Sequence, residues 1–323
     1  MVRPRLVISR CIELEPCRYN GARISSELVR RLMPYVELVP VCMEADMGLG
    51  VPRDPVRIVR SETGDRLVQP ATGRDLTGEA MAFTVDHLSG LKDIDGFVLK
   101  GRSPSCGIKD VRIYPPGKDA AITSKGAGMY AREVLRLFPD AAVEDEARLT
   151  NARIADHFLT RSFTSARFRA AKDEGTPRAL TDFHASHKLL LMGYNQEAMR
   201  EMGRTAASGA PISERFERYS DILVRALRRP PRSGSWNNVL MHAMGYFSER
   251  LTSKEREHFL QTLRWHAEGK LPLTVPLSII RSWSLRFDEG YLLAQVLFEP
   301  YPLEMMGMMG NEGAGRDIWA LAR

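Results

Sequence analysis

The sequence predicts an α/β first domain with a small parallel sheet, Rossmann-like or flavodoxin-like, followed by an all-α helical second domain. Three short apolar runs in the first half, LVISRC, VELVPVC and GFVLK, are strand-like, and a plausible helix follows each of them. Short apolar strands that alternate with helical segments are typical of βα units in a parallel sheet. In the second half of the chain the apolar residues recur with helical spacing instead.

The predicted elements of the first domain alternate regularly along the chain. Strands are expected at 6–10, 36–41, 96–100 and 141–144, and helices at 25–33, 79–91 and 126–137. The stretch 43–78 is rich in glycine, proline and charge, so we expect it to be irregular, and such excursions inside compact domains are usually functional. The acidic segment 139–148 ends the domain, which gives predicted domains 1–148 and 149–323.

Helical signals continue through the second domain, where no strand is predicted. Ala155, Phe158 and Leu159 form an i, i+3, i+4 apolar stripe. Thr252 and Glu255 have the spacing of a capping box, which predicts the start of a helix.

The excess positive charge lies almost wholly in the second half. Residues 151–323 contain 24 Lys and Arg against 19 Asp and Glu, a net charge of +5, whereas residues 1–150 carry +1. Arginine supplies 20 of those 24 cations, and its planar fork suits phosphate groups. This distribution indicates a nucleic-acid partner, with a plain basic surface as the alternative.

The chain shows no sign of export or membrane insertion. The segment MVRPRLVISRC lacks the uninterrupted apolar core of a signal peptide, and no apolar stretch approaches the roughly 18 residues of a membrane span. Four cysteines without dense, even spacing indicate reduced thiols rather than a disulfide framework. We therefore expect a soluble cytoplasmic protein with no membrane contact and no obligatory protein partner.

Three cysteines, Cys11, Cys42 and Cys106, lie just past the ends of predicted strands. The C-termini of parallel strands share one edge, where ligands bind, so these thiols could meet despite spacings of 31 and 64 residues. A buried apolar cysteine is the ordinary alternative for each. The paired C-x-x-C spacing common in zinc sites is absent, whereas an iron–sulfur cluster on three remote cysteines would leave one iron open to substrate.

Polar residues beside these cysteines are candidates for catalysis and substrate binding. Glu44 follows the second of them by two residues and could act as a general base on water. Ser103 and Ser105 in the loop SPSCG could hold a substrate carbonyl or a cluster sulfur, or merely satisfy a turn. Lys100 and Arg102 flank this loop and could bind an anionic substrate or a phosphate, with a solvated surface charge as the alternative.

One helical face of the second domain is a candidate contact for RNA. His184, His187 and Lys188 stand at i, i+3 and i+4, so they could contact one phosphate together. Each histidine could equally be a packing residue of the helical core.

Three stretches of the first domain resemble the signature motifs of the thiouracil desulfidase (TudS-like) family. They are, in order, CIELEPCRYNG, PVCMEADMGLGVPR and KGRSPSCG. The second domain, with DFHASHKLLLMGYN, NNVLMHAMGYF and FEPYP, resembles the YbgA-type helical domain. Together these matches cover nearly the whole chain, and the fused arrangement is similar to that of tRNA 4-thiouridine desulfidases.

The resemblance implies a cofactor and its ligands. The cofactor is a 4Fe–4S cluster held by Cys11, Cys42 and Cys106, with one iron not ligated by the protein. Cys17 would then be a non-ligand.

The resemblance also implies a reaction, the non-redox, hydrolytic desulfidation of 4-thiouridine in tRNA to uridine with release of sulfide. Glu44 would take a proton from the attacking water. Ser103, or alternatively Ser105, would orient the base or stabilise the tetrahedral intermediate, and the second domain would hold the tRNA. The alternatives are desulfidation of free thiouracil or thionucleosides, a non-catalytic RNA-binding iron–sulfur protein, and a zinc-holding structural protein.

Overall fold

The computed structural model describes residues 2–62, 64–116 and 121–309, and the chain divides into two compact units between Ala166 and Arg167. The division lies inside a long helix, beyond the boundary predicted at 148/149. The first part of this helix belongs to the first unit because it packs there. Arg161 donates a hydrogen bond to Ala141 O at 3.1 Å, and a Cβ on Gly96 would lie 3.0 Å from Ser162 Oγ.

The first unit is an α/β structure. Its elements are β1 Arg5–Ser9, α1 Glu27–Leu32, β2 Glu37–Val41, α2 Met43–Asp46, β3 Arg57–Ser61, β4 Gly64–Gln69, β5 Arg74–Asp75, α3 Thr77–Gly90, β6 Gly96–Leu99, β7 Val111–Tyr114, β8 Ser124–Gly126, α4 Met129–Leu137, β9 Ala142–Asp145 and the start of α5 Ala152–Glu174.

The main sheet has four parallel strands in the order β2-β1-β6-β9. Strands β1 and β6 are central, and their apolar residues, such as Val7 and Phe97, are fully buried, as is usual where helices cover both faces of a sheet. The chain passes from β1 outward to β2 and then crosses to β6 on the other side of β1, which places a topological switch point between β1 and β6. The predicted parallel α/β fold is confirmed.

The prediction of an irregular stretch at 43–78 was wrong. This stretch contains the short helix α2 and strands β3, β4 and β5, which join β7 and β8 in a second, mixed sheet of order β5-β4-β3-β7-β8. The strands of this sheet are difficult to predict from the sequence because charged residues alternate with their apolar residues. Arg60 pairs with Asp65 across the β3–β4 hairpin, while Ile58 and Leu67 face the core.

The second unit consists mostly of helices, as predicted, and contains no strand among its described residues. It contains the end of α5, followed by α6 Pro177–Tyr194, α7 Gln196–Ala206, α8 Ile212–Leu227, α9 Ser233–Gly245, α10 Ser253–Ala267, α11 Thr274–Arg286, α12 Gly290–Leu293 and α13 Leu303–Met309.

Local signals set several of the helix ends in this unit. The side chains of Thr252 and Glu255 cap α10 reciprocally, as the sequence predicted. Asn195 ends α6 and caps α7 through a hydrogen bond from Ala198 N at 3.0 Å. Within the described part of the chain, no helix has the length and apolar character that crossing a membrane requires.

Candidate active site

A cavity of about 290 Å³ lies at the C-terminal ends of the parallel strands in the first unit. Strands β1, β2 and β6 end here, beside the switch point, where open α/β sheets bind ligands. Its wall includes the side chains of Cys11, Cys17, Cys42, Glu44, Arg53 and Cys106.

The structure brings the three strand-end cysteines to this one cavity. Cys11 lies two residues beyond β1, Cys42 follows β2 directly, and Cys106 lies in the loop after β6. All are free thiols, and Cys11 and Cys106 are buried. Cys17, the fourth cysteine, is also buried in the cavity wall, and its carbonyl oxygen lies 3.8 Å from the Cys42 thiol.

Burial raises the pKa of these strand-end thiols. The pKa of Cys11 rises to about 12, through burial first and then through the nearby Cys17 and Cys42. The pKa of Cys42 rises to about 11, again mainly because the thiol is buried, and burial also raises the pKa of Cys106. Without a bound cation these thiols are therefore protonated at neutral pH, and a metal that binds them as thiolates must displace protons.

The thiols of the cavity are potential ligands for a metal ion or a cluster. Among the described residues, no group of three or more His, Cys, Asp or Glu side chains is arranged to hold one metal ion. A structural zinc site needs four donors directed at one atom. Iron–sulfur clusters are held by cysteine thiolates, so the three thiols around the shared cavity fit such a group.

Glu44 lies on α2, two residues after Cys42, and both of its carboxylate oxygens accept hydrogen bonds. Oε1 accepts a hydrogen bond from Ser105 Oγ at 2.7 Å, and Oε2 accepts from Arg53 Nη2 at 2.7 Å. The Glu44 side chain is only 12% exposed. The carboxylate is therefore held in the cavity wall and is not an ordinary surface glutamate.

Arg53 is a residue of this site that the sequence analysis missed. Its side chain is 4% exposed, and its guanidinium group donates to Glu44, to Cys17 O and to Gly50 O. Gly50 has a φ of +72°, which glycine adopts without strain, and it helps to turn the chain so that Arg53 returns to Glu44. The sequence feature that could have identified Arg53 is its position as the last residue of the motif-like stretch PVCMEADMGLGVPR.

The two serines of the SPSCG loop make different contacts. Ser103 Oγ accepts hydrogen bonds from Ser105 N and Cys106 N, both at 3.2 Å, so it closes the turn. Its own hydroxyl proton has no acceptor among the described residues, whereas the Ser105 hydroxyl donates to Glu44. The loop rests against the start of α4, where a Cβ on Gly128 would lie 2.4 Å from Ser105 O.

Alanine variants of the two serines should lower the rate unequally. Ser103→Ala removes a hydroxyl that is free to donate to a substrate, so we expect kcat to fall by about 10²-fold. Ser105→Ala leaves Glu44 held by Arg53, so we expect a loss of about tenfold. Single-turnover measurements on protein of matched iron content check this order. A larger loss in Ser105→Ala would make Ser105 the functional serine.

Lys100 and Arg102 differ in their freedom to bind a substrate. Lys100 Nζ pairs with Glu146 and donates to Gly101 O at 2.8 Å, so its charge is already balanced inside the protein. Arg102 is exposed in the cavity wall and has no ion-pair partner in the described part of the chain. Of the two predicted anion-binding residues, Arg102 is the one available.

The structure does not support a shared phosphate contact for His184, His187 and Lys188. His187 is 2% exposed, stacks on Phe183 and places Nδ1 2.8 Å from Phe183 O, so it is a core residue and cannot reach RNA. His184 is half-buried, with Nδ1 3.0 Å from Tyr219 Oη. Helical spacing placed these residues near one another, and the packing of α6 in the helical core decided which could reach solvent.

Acid should destabilise the second unit because His187 is buried as a neutral imidazole. Burial, and then the nearby Arg167 charge, lower the pKa of His187 from 6.5 to about 3. Between those values the unfolded chain binds more protons than the folded one, so the free energy of unfolding falls as the pH falls, by up to about 1.4 kcal/mol per pH unit. Denaturant unfolding across this range measures the slope.

His187→Gln removes this titration and should give a shallower dependence on pH, whereas replacement of the exposed His258 by Gln should leave the wild-type slope. Equal slopes in wild type and His187→Gln would contradict the assignment.

The fold and the cavity together define a class of protein. The strand ends of a parallel α/β sheet bring three thiols, a fixed carboxylate and a free hydroxyl to one cavity. These groups are typical of a cysteine-bound cofactor site with an acid–base group beside it. The chain belongs to the 2-thiouracil desulfurase family, whose model matches residues 6–146. Residues 188–302 match a second model, that of a protein of unknown function, DUF1722. The two resemblances found in the sequence, and their fusion in one chain, are confirmed.

Individual proteins are similar to parts of this chain. The uncharacterized protein YbgA of Escherichia coli K12 is 29% identical over 154 residues, which are 46% of this chain and 91% of YbgA. The uncharacterized protein YbbK of Bacillus subtilis 168 is 33% identical over 109 residues, 32% of this chain and 72% of YbbK. The solved structure of TudS, a 4Fe–4S-dependent thiouracil desulfidase, is 26% identical to this chain. The match covers 46% of this chain and 93% of the TudS chain, with a TM-score of 0.36.

Proposed function

We propose that this protein removes the sulfur of 4-thiouridine in tRNA by an iron–sulfur-dependent, non-redox hydrolysis. The observation that carries the proposal is the carboxylate of Glu44 in the same cavity as Cys11, Cys42 and Cys106. Membership of the 2-thiouracil desulfurase family supports the chemistry. In the net reaction the oxygen of water replaces the thiocarbonyl sulfur, which leaves as hydrogen sulfide, and no electrons are exchanged with an outside donor or acceptor.

Cys11, Cys42 and Cys106 would hold a 4Fe–4S cluster with one iron not ligated by the protein. Their free thiols, their place at the strand ends and their shared cavity fit such a group. When bound, it supplies a soft Lewis acid suited to a thiocarbonyl sulfur.

Glu44 would act as the general base on the attacking water. A base must be within hydrogen-bond reach of the proton it takes. Arg53 and Ser105 hold the carboxylate in the cavity wall, which limits the positions from which a water molecule can approach it. The same carboxyl group could then return the proton to the departing sulfur, so that it ends the cycle ionised.

Ser103 would orient the thiobase through its free hydroxyl. The oxygen already accepts two backbone hydrogen bonds, which fix its position, and the remaining proton can be donated to a ring carbonyl or to the oxygen that develops negative charge.

The tRNA part of the proposal is supported by charge and by the residues at the cavity. The second half of the chain carries a net charge of +5, and a basic surface attracts phosphate backbones. In the cavity wall, Arg18 lies 5.6 Å from the ring centroid of Tyr19, which is 40% exposed, and Arg102 is exposed nearby. An aromatic ring with arginines beside it suits an unstacked nucleotide.

The same chemistry on free thiouracil or a thionucleoside is the second candidate. The cavity is lined wholly by residues of the first unit, and its volume of about 290 Å³ is at the lower end of small-molecule pockets. A single base could bind there without any contribution from an RNA-binding surface. A non-catalytic RNA-binding iron–sulfur protein is the remaining alternative.

The test uses the full chain, reconstituted anaerobically with iron and sulfide. It is incubated with bulk tRNA that contains 4-thiouridine and, separately, with 4-thiouridine nucleoside and with 2-thiouracil, while thiobase absorbance and released sulfide are followed. Loss of absorbance from tRNA with matching sulfide release supports the proposal. Turnover of the small molecules alone would favour the second candidate, and no turnover by iron-replete protein would favour the non-catalytic alternative.

A further inference from the structure

Arg53 joins Glu44 to two neighbouring loops. Its Nε and Nη2 atoms donate to Glu44 Oε2 at 2.9 and 2.7 Å, and its Nη1 atom donates to Cys17 O at 3.1 Å and to Gly50 O at 2.9 Å. The side chain is 4% exposed. A buried guanidinium with this many directed hydrogen bonds has a fixed orientation, and it fixes its acceptors in turn.

The contacts separate the two carboxylate oxygens of Glu44. Arg53 occupies Oε2 with two hydrogen bonds, whereas Oε1 receives, among the described residues, only the hydroxyl of Ser105. A carboxylate oxygen has two acceptor positions. Oε1 therefore keeps one acceptor position for a water molecule, whereas the hydrogen bonds to Oε2 hold the Glu44 side chain in place.

Arg53 also connects the Glu44 carboxylate to the loop that contains Cys17. Cys17 O accepts from Arg53 and lies 3.8 Å from the Cys42 thiol. The backbone of Arg53 donates to Tyr19 O at 2.8 Å. Through these contacts, one side chain sets where Glu44 stands with respect to the loop that contains Cys17.

We propose that Arg53 is a positioning residue for desulfidation, which fixes the Glu44 carboxylate so that Oε1 faces the reacting water. The inference rests on the proposed function. Without Arg53 the base is still present, but its rotamer is no longer held and its counter-ion is lost. A displacement of about 1 Å in a catalytic group can cost about 10²-fold in rate, so the effect should fall on kcat rather than on substrate binding.

The first experiment compares Arg53→Gln, Arg53→Lys and Arg74→Gln in the reconstituted full chain. Arg74 forms an exposed ion pair with Glu79 outside the cavity wall, so it is a matched control that should keep the wild-type rate. We expect Arg53→Gln to lower kcat by about 10²-fold with KM within about threefold of wild type. Arg53→Lys keeps the charge but loses the two-pronged contact, and should lose about tenfold.

A double variant tests whether Arg53 acts through Glu44. If it does, the double variant Arg53→Gln/Glu44→Gln is no slower than Glu44→Gln alone. The Glu44→Gln substitution has already removed the base, so the loss of Arg53 can no longer displace it. A further loss equal to that of Arg53→Gln in the wild-type background would overturn the inference. A kcat for Arg53→Gln within about twofold of wild type would overturn it as well.

Structural damage is separated from positioning by iron content and thermal stability. Where Arg53→Gln fails to fold or to hold iron, Arg53→Lys decides the question. A folded, iron-replete Lys variant with a lowered kcat supports the inference, and one with the wild-type kcat overturns it.

A second readout does not depend on turnover. In the protein without cluster, the Nε–H group of Arg53 should exchange with solvent much more slowly than that of Arg74, and Glu44→Gln should speed the exchange. Equal exchange at Arg53 and Arg74 would overturn the inference.

A wild type that turns over no thiobase contradicts the proposed function, whereas turnover that does not depend on Arg53 contradicts only this inference.

Discussion

Glu44→Gln is expected to lower desulfidation by about 10³-fold, the range of a general base, while the protein keeps its fold and its iron. Glutamine retains the shape of the side chain but cannot take a proton from water. Its carbonyl oxygen can still accept from Arg53, and its amide can donate to Ser105 Oγ, so the contacts of the carboxylate are largely replaced. The buried Arg53 charge loses its counter-ion, which costs about 3 kcal/mol of stability.

The measurement is single-turnover loss of thiobase absorbance, with cluster absorbance and tRNA affinity followed in the same samples. Glu79→Gln, which removes a carboxylate from an exposed ion pair with Arg74, is the matched control and should keep the wild-type rate. A Glu44→Gln variant with normal turnover would show that another group acts as the base. Loss of turnover with unchanged tRNA affinity excludes a role for Glu44 in RNA binding.

Replacement of any one strand-end cysteine by alanine should abolish both cluster binding and turnover. Cys11→Ala, Cys42→Ala and Cys106→Ala each remove a thiol from the cavity, and iron should fall from about four atoms per chain to a small fraction of that value. A 4Fe–4S cluster is ordinarily held by four thiolates, so a site with two cysteines leaves half of its irons without a protein ligand and retains little affinity. Iron and acid-labile sulfide analysis after anaerobic reconstitution gives the stoichiometry.

Cys17→Ser is the matched control for the cysteine series, because Cys17 is a buried thiol in the wall of the same cavity. If it is not a ligand, this variant keeps its iron and most of its turnover. Loss of iron from Cys17→Ser would make Cys17 a ligand. Full iron in Cys106→Ala would remove Cys106 from the ligand set.

Much of the first unit could be predicted because its signals are local. Strands β1, β2, β6 and β9 were anticipated to within a residue or two, since a buried parallel strand is a short apolar run. The second sheet was missed because β3 and β4 mix charged and apolar residues. The pairing of β3 with β7 also joins segments distant in the chain, such as Ile58 with Ile113. The predicted boundary stands at 148/149, whereas the division into compact units falls inside α5, whose first part packs with the first unit.

By itself, the sequence determined the fold class, the arrival of Cys11, Cys42 and Cys106 at one sheet edge, and the carboxylate that follows Cys42. These follow from apolar periodicity and from the fact that parallel strands end along one edge. Tertiary structure alone decided that Arg53 holds Glu44, that Ser105 rather than Ser103 contacts it, and that His187 is a core residue. The physical reason is distance along the chain: Ser105 and Glu44 are 61 residues apart, and whether two such side chains meet depends on how every intervening element packs.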